Sequence, residues 1–249
     1  MANSTLTLVE RFDGICGEGS EIGLKAHFIR LAGCNMPNKC SGWPCDSPHS
    51  WDPTYKDQWE KVDAKKLAVN MAGDYSRLFI TGGEPLLQAE ALVTMLKTYR
   101  TVRAGDSCEV ILQTNGTIDA PQVFALCDMI SADCKTPGSG GRPNDPVLTS
   151  ILSESVRRRV QVKFLIATEA DYQFAQDRAW KTWRYAPQAE VVLGVANLTP
   201  AGGPDPLDRL ALLDLQRRWA ERFLADSWPP SVRFLPQWHT LLWGNERKR

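Results

Sequence analysis

From Arg77 to Leu235 short apolar runs alternate with helical patterns, and most runs end in glycine or polar residues. Strands separated by helices cannot be joined by tight hairpins. They need crossovers, and crossovers of one hand lay the strands parallel. The runs Arg77–Thr81, Cys108–Gln113, Asp128–Ala132, Val160–Ile166, Glu190–Ala196 and Ser231–Leu235 read as strands, with Thr5–Glu10 and Lys25–Leu31 before them. The intervening helices carry Leu92, Met95, Leu96 and Tyr99, then Pro121–Leu126, then Tyr172 to Trp183, then Leu207–Phe223. The pattern predicts an α/β fold with about six to eight parallel strands. In such folds ligands bind at the carboxyl ends of the strands. Gly82–Pro85, Thr114–Gly116, Ser131–Lys135, Asn197 and Pro236–His239 all follow strands, so one mouth should gather them.

No internal repeat, low-complexity tract or linker divides the chain, so residues 1–249 are expected to form one domain. Lys+Arg and Asp+Glu both total 29, a zero formal charge that argues against a strongly basic nucleic-acid binder. No apolar run is long enough for a membrane span, and Met1–Thr5 does not open a signal peptide, so the expected compartment is the cytoplasm.

Seven cysteines are present, and Cys34, Cys40 and Cys45 crowd into an irregular loop, 33–53. A loop of that length inside a compact domain is usually functional. In a cytosolic chain a tight cysteine cluster points to metal binding or catalysis rather than disulfides. Structural zinc wants four protein ligands, and His49 could supply the fourth. Three close thiolates suit an iron–sulfur cluster with one iron left open. On spacing alone the two readings stand level. Arg30 lies in an apolar strand, where a guanidinium must be paired or face a cavity. Its fork suits a carboxylate, either a ligand's or an internal one such as Glu18. Glu18 and Glu84 read as structural carboxylates. Cys108 and Cys127 read as small buried hydrophobes.

Beside three cysteines, Gly82-Gly83-Glu84-Pro85 resembles the S-adenosylmethionine contact of radical S-adenosylmethionine enzymes. The resemblance narrows with four further segments. Phe12-Asp-Gly-Ile-Cys-Gly-Glu-Gly19 is similar to the Gln-Gly-Glu-Gly segment of 7-carboxy-7-deazaguanine synthases. His27-Phe-Ile-Arg-Leu-Ala-Gly-Cys-Asn35 and Cys45-Asp-Ser-Pro-His-Ser-Trp-Asp52 resemble the two flanks of their cluster loop. Arg233-Phe-Leu-Pro-Gln-Trp-His-Thr-Leu-Leu-Trp-Gly-Asn245 resembles the tail of bacillus-type members. These segments keep the family's order along essentially the whole chain. The departures are local. The family's cysteines are usually separated by three and two residues, whereas here the gaps are five and four. Cys16 stands where the family has Gln and is the outside candidate for a ligand. The family's Ser-Pro-Lys aligns in more than one way with Ser131-Ala-Asp-Cys-Lys135.

The resemblance implies a partial, TIM-like barrel of parallel strands with a radical S-adenosylmethionine core, a cluster loop at 33–53 and a substrate-binding tail at 231–249. It implies a [4Fe–4S] cluster on Cys34, Cys40 and Cys45, with S-adenosylmethionine on the open iron and Mg²⁺ at Ser47. Pro44, Asp46, Gly83, Ser131, Ala132, Asp133, Gly194, Val195, Ala196 and Asn197 would line the cofactor, with Gln113 and Asn115 as further candidates. Ile15, Cys16, Gly17, Arg30, Thr81, Gln237 and His239 would bind substrate. The implied reaction is ring contraction of 6-carboxy-5,6,7,8-tetrahydropterin to 7-carboxy-7-deazaguanine with release of ammonia, in 7-deazapurine (queuosine-type) biosynthesis. The hydrogen-abstracting radical would come from the cofactor and not from a catalytic side chain. The resemblance also implies a homodimer, a flavodoxin-type or chemical reductant, and no nucleic-acid or membrane partner. Two other readings are a glycyl-radical-enzyme activase, against which the Pro236–Asn245 tail speaks, and a zinc-stabilised binding module, which leaves the ring of polar strand ends unexplained.

Overall fold

The structure, a computed structural model, describes residues 4–36, 40, 42–73, 75–199 and 207–248. The chain opens with β1 (Thr5–Ile15) and β2 (Lys25–Leu31). The cysteine loop leads to β3 (Glu60–Asp63) and α1 (Ala64–Asn70). Then follow β4 (Arg77–Gly82), α2 (Ala89–Val102), β5 (Glu109–Thr114), α3 (Pro121–Phe124) and β6 (Met129–Asp133). The last part holds α4 (Asp145–Ser153), β7 (Arg159–Ile166), α5 (Glu169–Tyr185), β8 (Glu190–Val195), α6 (Arg209–Ala225), β9 (Val232–Phe234) and α7 (Trp238–Trp243). Side chains start several helices by accepting free backbone N–H groups. Asp63 does so for α1, Asn144 for α4, Asp208 for α6, and Thr168 with Asp171 forms a reciprocal box on α5.

One sheet of nine strands runs β3-β1-β2-β4-β5-β6-β7-β8-β9. From β2 to β9 every neighbouring pair is parallel. β1 is antiparallel to both β2 and β3. The strand order does not return on itself, so the barrel is partial.

Successive strand residues face opposite sides. Leu78, Ile80, Val110, Leu112 and Ile130 pack outward with Leu92, Leu96, Tyr99 and Val123 of the helical layer. Phe79, Ile111 and Met129 face inward and form a smaller cluster with Cys16, Ala26 and Phe28. The β1–β2 connection therefore fills the inside of the sheet. Within it, Glu21 is 6% exposed, pairs with Arg159 of β7 at 2.6 Å and lies 3.6 Å from Arg77 of β4. These pairs tie the plug to both sides of the curved sheet.

The architecture agrees with the sequence expectation in class and in the eight strands named there. β1 is longer than expected, since its pairing with β2 runs past an irregularity between Leu8 and Glu10 to Ile15. Residues 16–24 are left to connect β1 and β2, and the pair is antiparallel because they join the two strands without a crossover. β3 escaped the sequence reading because Glu60-Lys-Val-Asp63 is a short, largely exposed edge strand without apolar alternation. α4 was not read either. Its buried Val147, Leu148, Ile151 and Leu152 occupy just over two turns.

Candidate active site

Parallel neighbours in register point their side chains the same way, and this builds the site. Arg30 of β2 stands beside Thr81 of β4, Gln113 of β5 beside Ser131 of β6, and Ser131 beside Gln161 of β7. Asp133 stands beside Lys163 one step further along. A cavity of about 250 Å³ opens over these residues. The β1–β2 connection, the cysteine loop and the C-terminal tail form the rest of its wall.

The cluster side is held by backbone. Gly83 N donates to Leu31 O at 3.2 Å, and Glu84 N to Gly33 O at 2.7 Å. A side chain at Gly83 would run into the Gly33 carbonyl and Cys34 Cβ, so glycine is what lets the cysteine loop lie against β4. Glu84 is fully buried and organises the corner. Its carboxylate accepts from Leu86 N at 3.0 Å, Asn115 N at 2.7 Å and Thr114 Oγ1 at 2.9 and 3.0 Å. Burial raises its pKa against those donors.

Cys34, Cys40 and Cys45 all face the cavity. Burial is the chief cause of the raised pKa of each thiol. The charges of Cys45 on Cys34 and of Cys34 on Cys40 add to it, so the three are neighbours. N–H groups are aimed at the sulfurs: Met36 N at Cys34 (3.3 Å), Ser47 N at Cys45 (3.4 Å) and Trp51 Nε1 at Cys45 (3.4 Å). Such donors favour thiolates, the form that binds metal. Lys135, ion-paired to Asp133 at 2.7 Å, acts on all three thiols in the same direction. Among the described residues no three His, Cys, Asp or Glu stand as ligands of a single metal ion. A cubane takes each thiolate on a different iron and spreads its ligands wider, so this donor set fits a [4Fe–4S] cluster. Cys16 is not in this set. It is 1% exposed, donates to Glu18 O at 3.2 Å, and burial pushes its pKa up to about 12.

The opposite wall is built of side chains. Glu18 Oε1 pairs with Lys163 Nζ at 2.8 Å. Gln237 Nε2 lies 3.5 Å from Glu18 Oε2, and Trp238 N donates to Gly17 O at 2.6 Å. A side chain at Gly17 would strike His239, so the tail and the β1–β2 connection pack at contact distance. Between the two walls Arg30 donates Nε to Glu10 Oε1 at 2.9 Å and Nη1 to Ser47 Oγ at 3.1 Å. Glu10 also lies 3.3 Å from His49 Nε2 and 3.1 Å from Arg247 Nη2. Burial alone would raise the Glu10 pKa, but the His49 hydrogen bond and the Arg30 charge outweigh it and hold the group at about 2. The internal partner of Arg30 is thus Glu10 and not Glu18.

A family model described as "4Fe-4S single cluster domain" matches residues 15–130. The chain is 32% identical over 243 residues to the 7-carboxy-7-deazaguanine synthase of Bacillus subtilis, covering 94% of this chain and 93% of that one. It is 33% identical over 177 residues to the enzyme of that name from Methanospirillum hungatei, covering 70% and 67%. This chain belongs to the 7-carboxy-7-deazaguanine synthase family. The crystal structure of QueE from Escherichia coli shares the fold, with a TM-score of 0.60 and 21% identity over 93% of this chain and 95% of that one.

Most positions that the family resemblance nominated meet at the cavity. Pro44, Asp46, Ser47, Gly83, Ser131, Asp133, Ala196 and Asn197 line it together with the three cysteines. So do Ile15, Cys16, Gly17, Arg30, Thr81, Gln237 and His239, and also Gln113 and Asn115. Ala132, Gly194 and Val195 do not. Ala132 and Val195 alternate outward into the main core, and Gly194 packs against Leu165 and the Leu235 carbonyl. A run of consecutive strand residues cannot all face one side.

The sequence reading missed Lys163, Glu10 and Trp51 as parts of the site, placed Lys135 at the mouth within Ser131–Lys135 without giving it a role, and took Glu18 as structural only. Lys163 carried the same signal that singled out Arg30, a cation inside an apolar strand, Val160-Gln-Val-Lys-Phe-Leu-Ile166. Glu10 did not carry it, because it ends the expected strand Thr5–Glu10, where a charged residue is ordinary. Trp51 stood inside the quoted segment Cys45–Asp52 but was given no role of its own.

Proposed function

We propose that this chain catalyses the radical ring contraction of 6-carboxy-5,6,7,8-tetrahydropterin to 7-carboxy-7-deazaguanine and ammonia, as a carbon–nitrogen lyase of 7-deazapurine biosynthesis. The observation that carries this reading is the identity to the Bacillus subtilis synthase, 32% over 243 residues and 94% of this chain. Cys34, Cys40 and Cys45 would hold the [4Fe–4S] cluster. Pro44, Asp46, Gly83, Ser131, Asp133 and the Ala196–Asn197 corner would hold S-adenosylmethionine. When bound, cluster and cofactor together supply a radical that removes hydrogen from the substrate.

The residues of the chain bind and orient. Arg30, fixed on Nε by Glu10, presents its guanidinium to the cavity, and its second η nitrogen donates to none of the described residues. That free edge suits the substrate carboxylate. Thr81 and the backbone of Ile15–Gly17 would pack on the ring, with Gln237 and His239 closing the far wall. The buried walls keep water from the reacting centre. Ser47 would contribute its hydroxyl to Mg²⁺, whose remaining positions go to substrate oxygens and water.

The whole chain, 1–249, is read as one domain that works as a homodimer. Trp183, Tyr185, Leu210 and Leu224 expose apolar surface on α5 and α6 that a second copy could cover. The compartment is read as the cytoplasm, the reductant as flavodoxin-type, and nucleic acid is not a partner. Among the described residues no helix is long and apolar enough to cross a membrane. The test is anaerobic reconstitution with iron and sulfide, followed by incubation with S-adenosylmethionine, reductant and the carboxypterin. Formation of 7-carboxy-7-deazaguanine with equimolar ammonia is expected. A brown, cofactor-cleaving protein that leaves the pterin unchanged would sink the reading.

A further inference from the structure

The cavity holds a charged pair that the roles above leave without a task. Glu18 Oε1 and Lys163 Nζ stand 2.8 Å apart, and both residues line the cavity. Lys163 is 9% exposed and faces inward on β7. Glu18 Oε2 has one long contact, 3.5 Å, to Gln237 Nε2. An ammonium carries three donors and a carboxylate offers lone pairs on both oxygens. Among the described residues the Lys163 ammonium meets only Glu18. The pair therefore presents acceptor, acceptor and donor side by side, with capacity to spare.

We propose that Glu18 and Lys163 read the 2-amino-4-oxopyrimidine edge of the substrate: the carboxylate accepts from the 2-amino group and ring N3–H, and the ammonium donates to the 4-oxo oxygen. This assignment rests on the ring-contraction reading. A pterin edge offers donor, donor and acceptor in that order, the complement of the row the pair presents. The place fits as well. In the sheet β4, β5 and β6 separate Arg30 on β2 from Lys163 on β7. The carboxylate and the pyrimidine edge lie at opposite ends of a 6-carboxypterin, so the assignment has one molecule lie across the cavity from Arg30 to Lys163, both of which line it. The flanking backbone of Ile15–Gly17 leads directly into Glu18.

The pair is suited to recognition and not to moving protons. Burial would raise the Glu18 pKa, but Lys163, His239 and Gln237 outweigh it and hold the carboxyl at about 2. Lys163 loses by burial but gains more from Glu18, and stands above the ordinary lysine range. Both stay charged at neutral pH. A site built to bind specific N–H groups rejects an analogue that lacks them, because its own buried acceptor is left unpaired.

The experiment compares pterin-6-carboxylate with its 2,4-dioxo counterpart, lumazine-6-carboxylate. Binding to the reconstituted holoenzyme is followed by fluorescence titration, and turnover of the tetrahydropterin is assayed on the same preparation. The wild type should prefer the pterin by at least about tenfold. In Glu18→Gln the preference should collapse to about twofold or less, because an amide accepts on one side only. The double variant Glu18→Gln/Lys163→Gln removes both charges, leaves no buried charge unpaired, and should lose the preference as well; cluster iron reports its fold. Equal wild-type affinity for the two rings, or a preference kept in the double variant, would make the pair a structural pin and overturn the assignment. A wild type that makes no product from the tetrahydropterin would instead remove the ring-contraction reading beneath it.

Discussion

The two walls of the cavity are built by different means. On the cluster wall, the loop carrying Cys34 and Cys45 meets the Gly82–Pro85 turn through backbone hydrogen bonds and the close approach that Gly83 permits. On the tail wall, Glu18, Lys163, Gln237 and His239 come from the β1–β2 connection, β7 and the residues after β9. The first wall joins the ends of neighbouring strands β2, β4 and β5 through backbone groups, Gly83 N to Leu31 O, Glu84 N to Gly33 O and Asn115 N to the Glu84 carboxylate. The second is assembled across the whole chain and depends on a buried charge pair. The first suits a cofactor common to many reactions, the second a particular substrate.

The largest effect should come from breaking the cluster wall. Cys34→Ala, Cys40→Ala and Cys45→Ala should each lose nearly all cluster iron and all cofactor cleavage, while Cys16→Ala keeps its iron. Iron and sulfide analysis after anaerobic reconstitution checks this. Full cluster retention in Cys40→Ala with loss in Cys16→Ala would move the ligand set toward the tail wall.

Arg30 separates the two functions. Arg30→Lys keeps the charge and loses the fork, worth about 2–5 kcal/mol at a charged contact, so kcat/KM for the pterin should fall at least about tenfold. Uncoupled cleavage of S-adenosylmethionine should persist in the same preparation. Loss of both activities with an intact cluster would tie Arg30 to the cofactor instead.

The walls should also differ in acid. Glu18 is held at about 2 against an ordinary 4.5, so its stabilisation is complete above pH 4.5 and is lost as pH falls to about 2. In that interval the unfolded chain binds a proton that the folded one does not. Glu10 behaves alike. Each contributes on the order of 3 kcal/mol at neutral pH. Urea midpoints measured from pH 6 to pH 2.5 should fall steeply for the wild type and less steeply for Glu18→Gln. Parallel curves for the two proteins would show that Glu18 is not linked to stability.

The smallest effect is expected at Ser47, where the walls meet. Ser47→Ala should slow turnover by a few-fold, about one hydrogen bond's worth, and shrink the stimulation by added Mg²⁺. An undiminished magnesium response would remove Ser47 from the ion's surroundings.

The sequence by itself determined every strand but β3, and the polar carboxyl ends, because alternation and strand-ending glycines are properties of neighbouring residues. It also determined the cysteine loop, whose three thiols lie within twelve positions. Side-chain facing was legible only in part. Arg30 stood out as a charge in an apolar strand, yet its partner proved to be Glu10, because the irregularity in β1 sets which carboxylate lies across from β2. Only the tertiary structure decided that Ser131 and Asp133 face the cavity while Ala132 does not, and that Lys163 meets Glu18, 145 positions away in sequence. The physical reason is register. A parallel strand can slide along its neighbour with little change in its own pattern, and a slip of one residue turns every side chain to the other face. What fixes the register here is the packing of distant segments, the plug inside the sheet and the tail against Gly17, and no local stretch of sequence contains it.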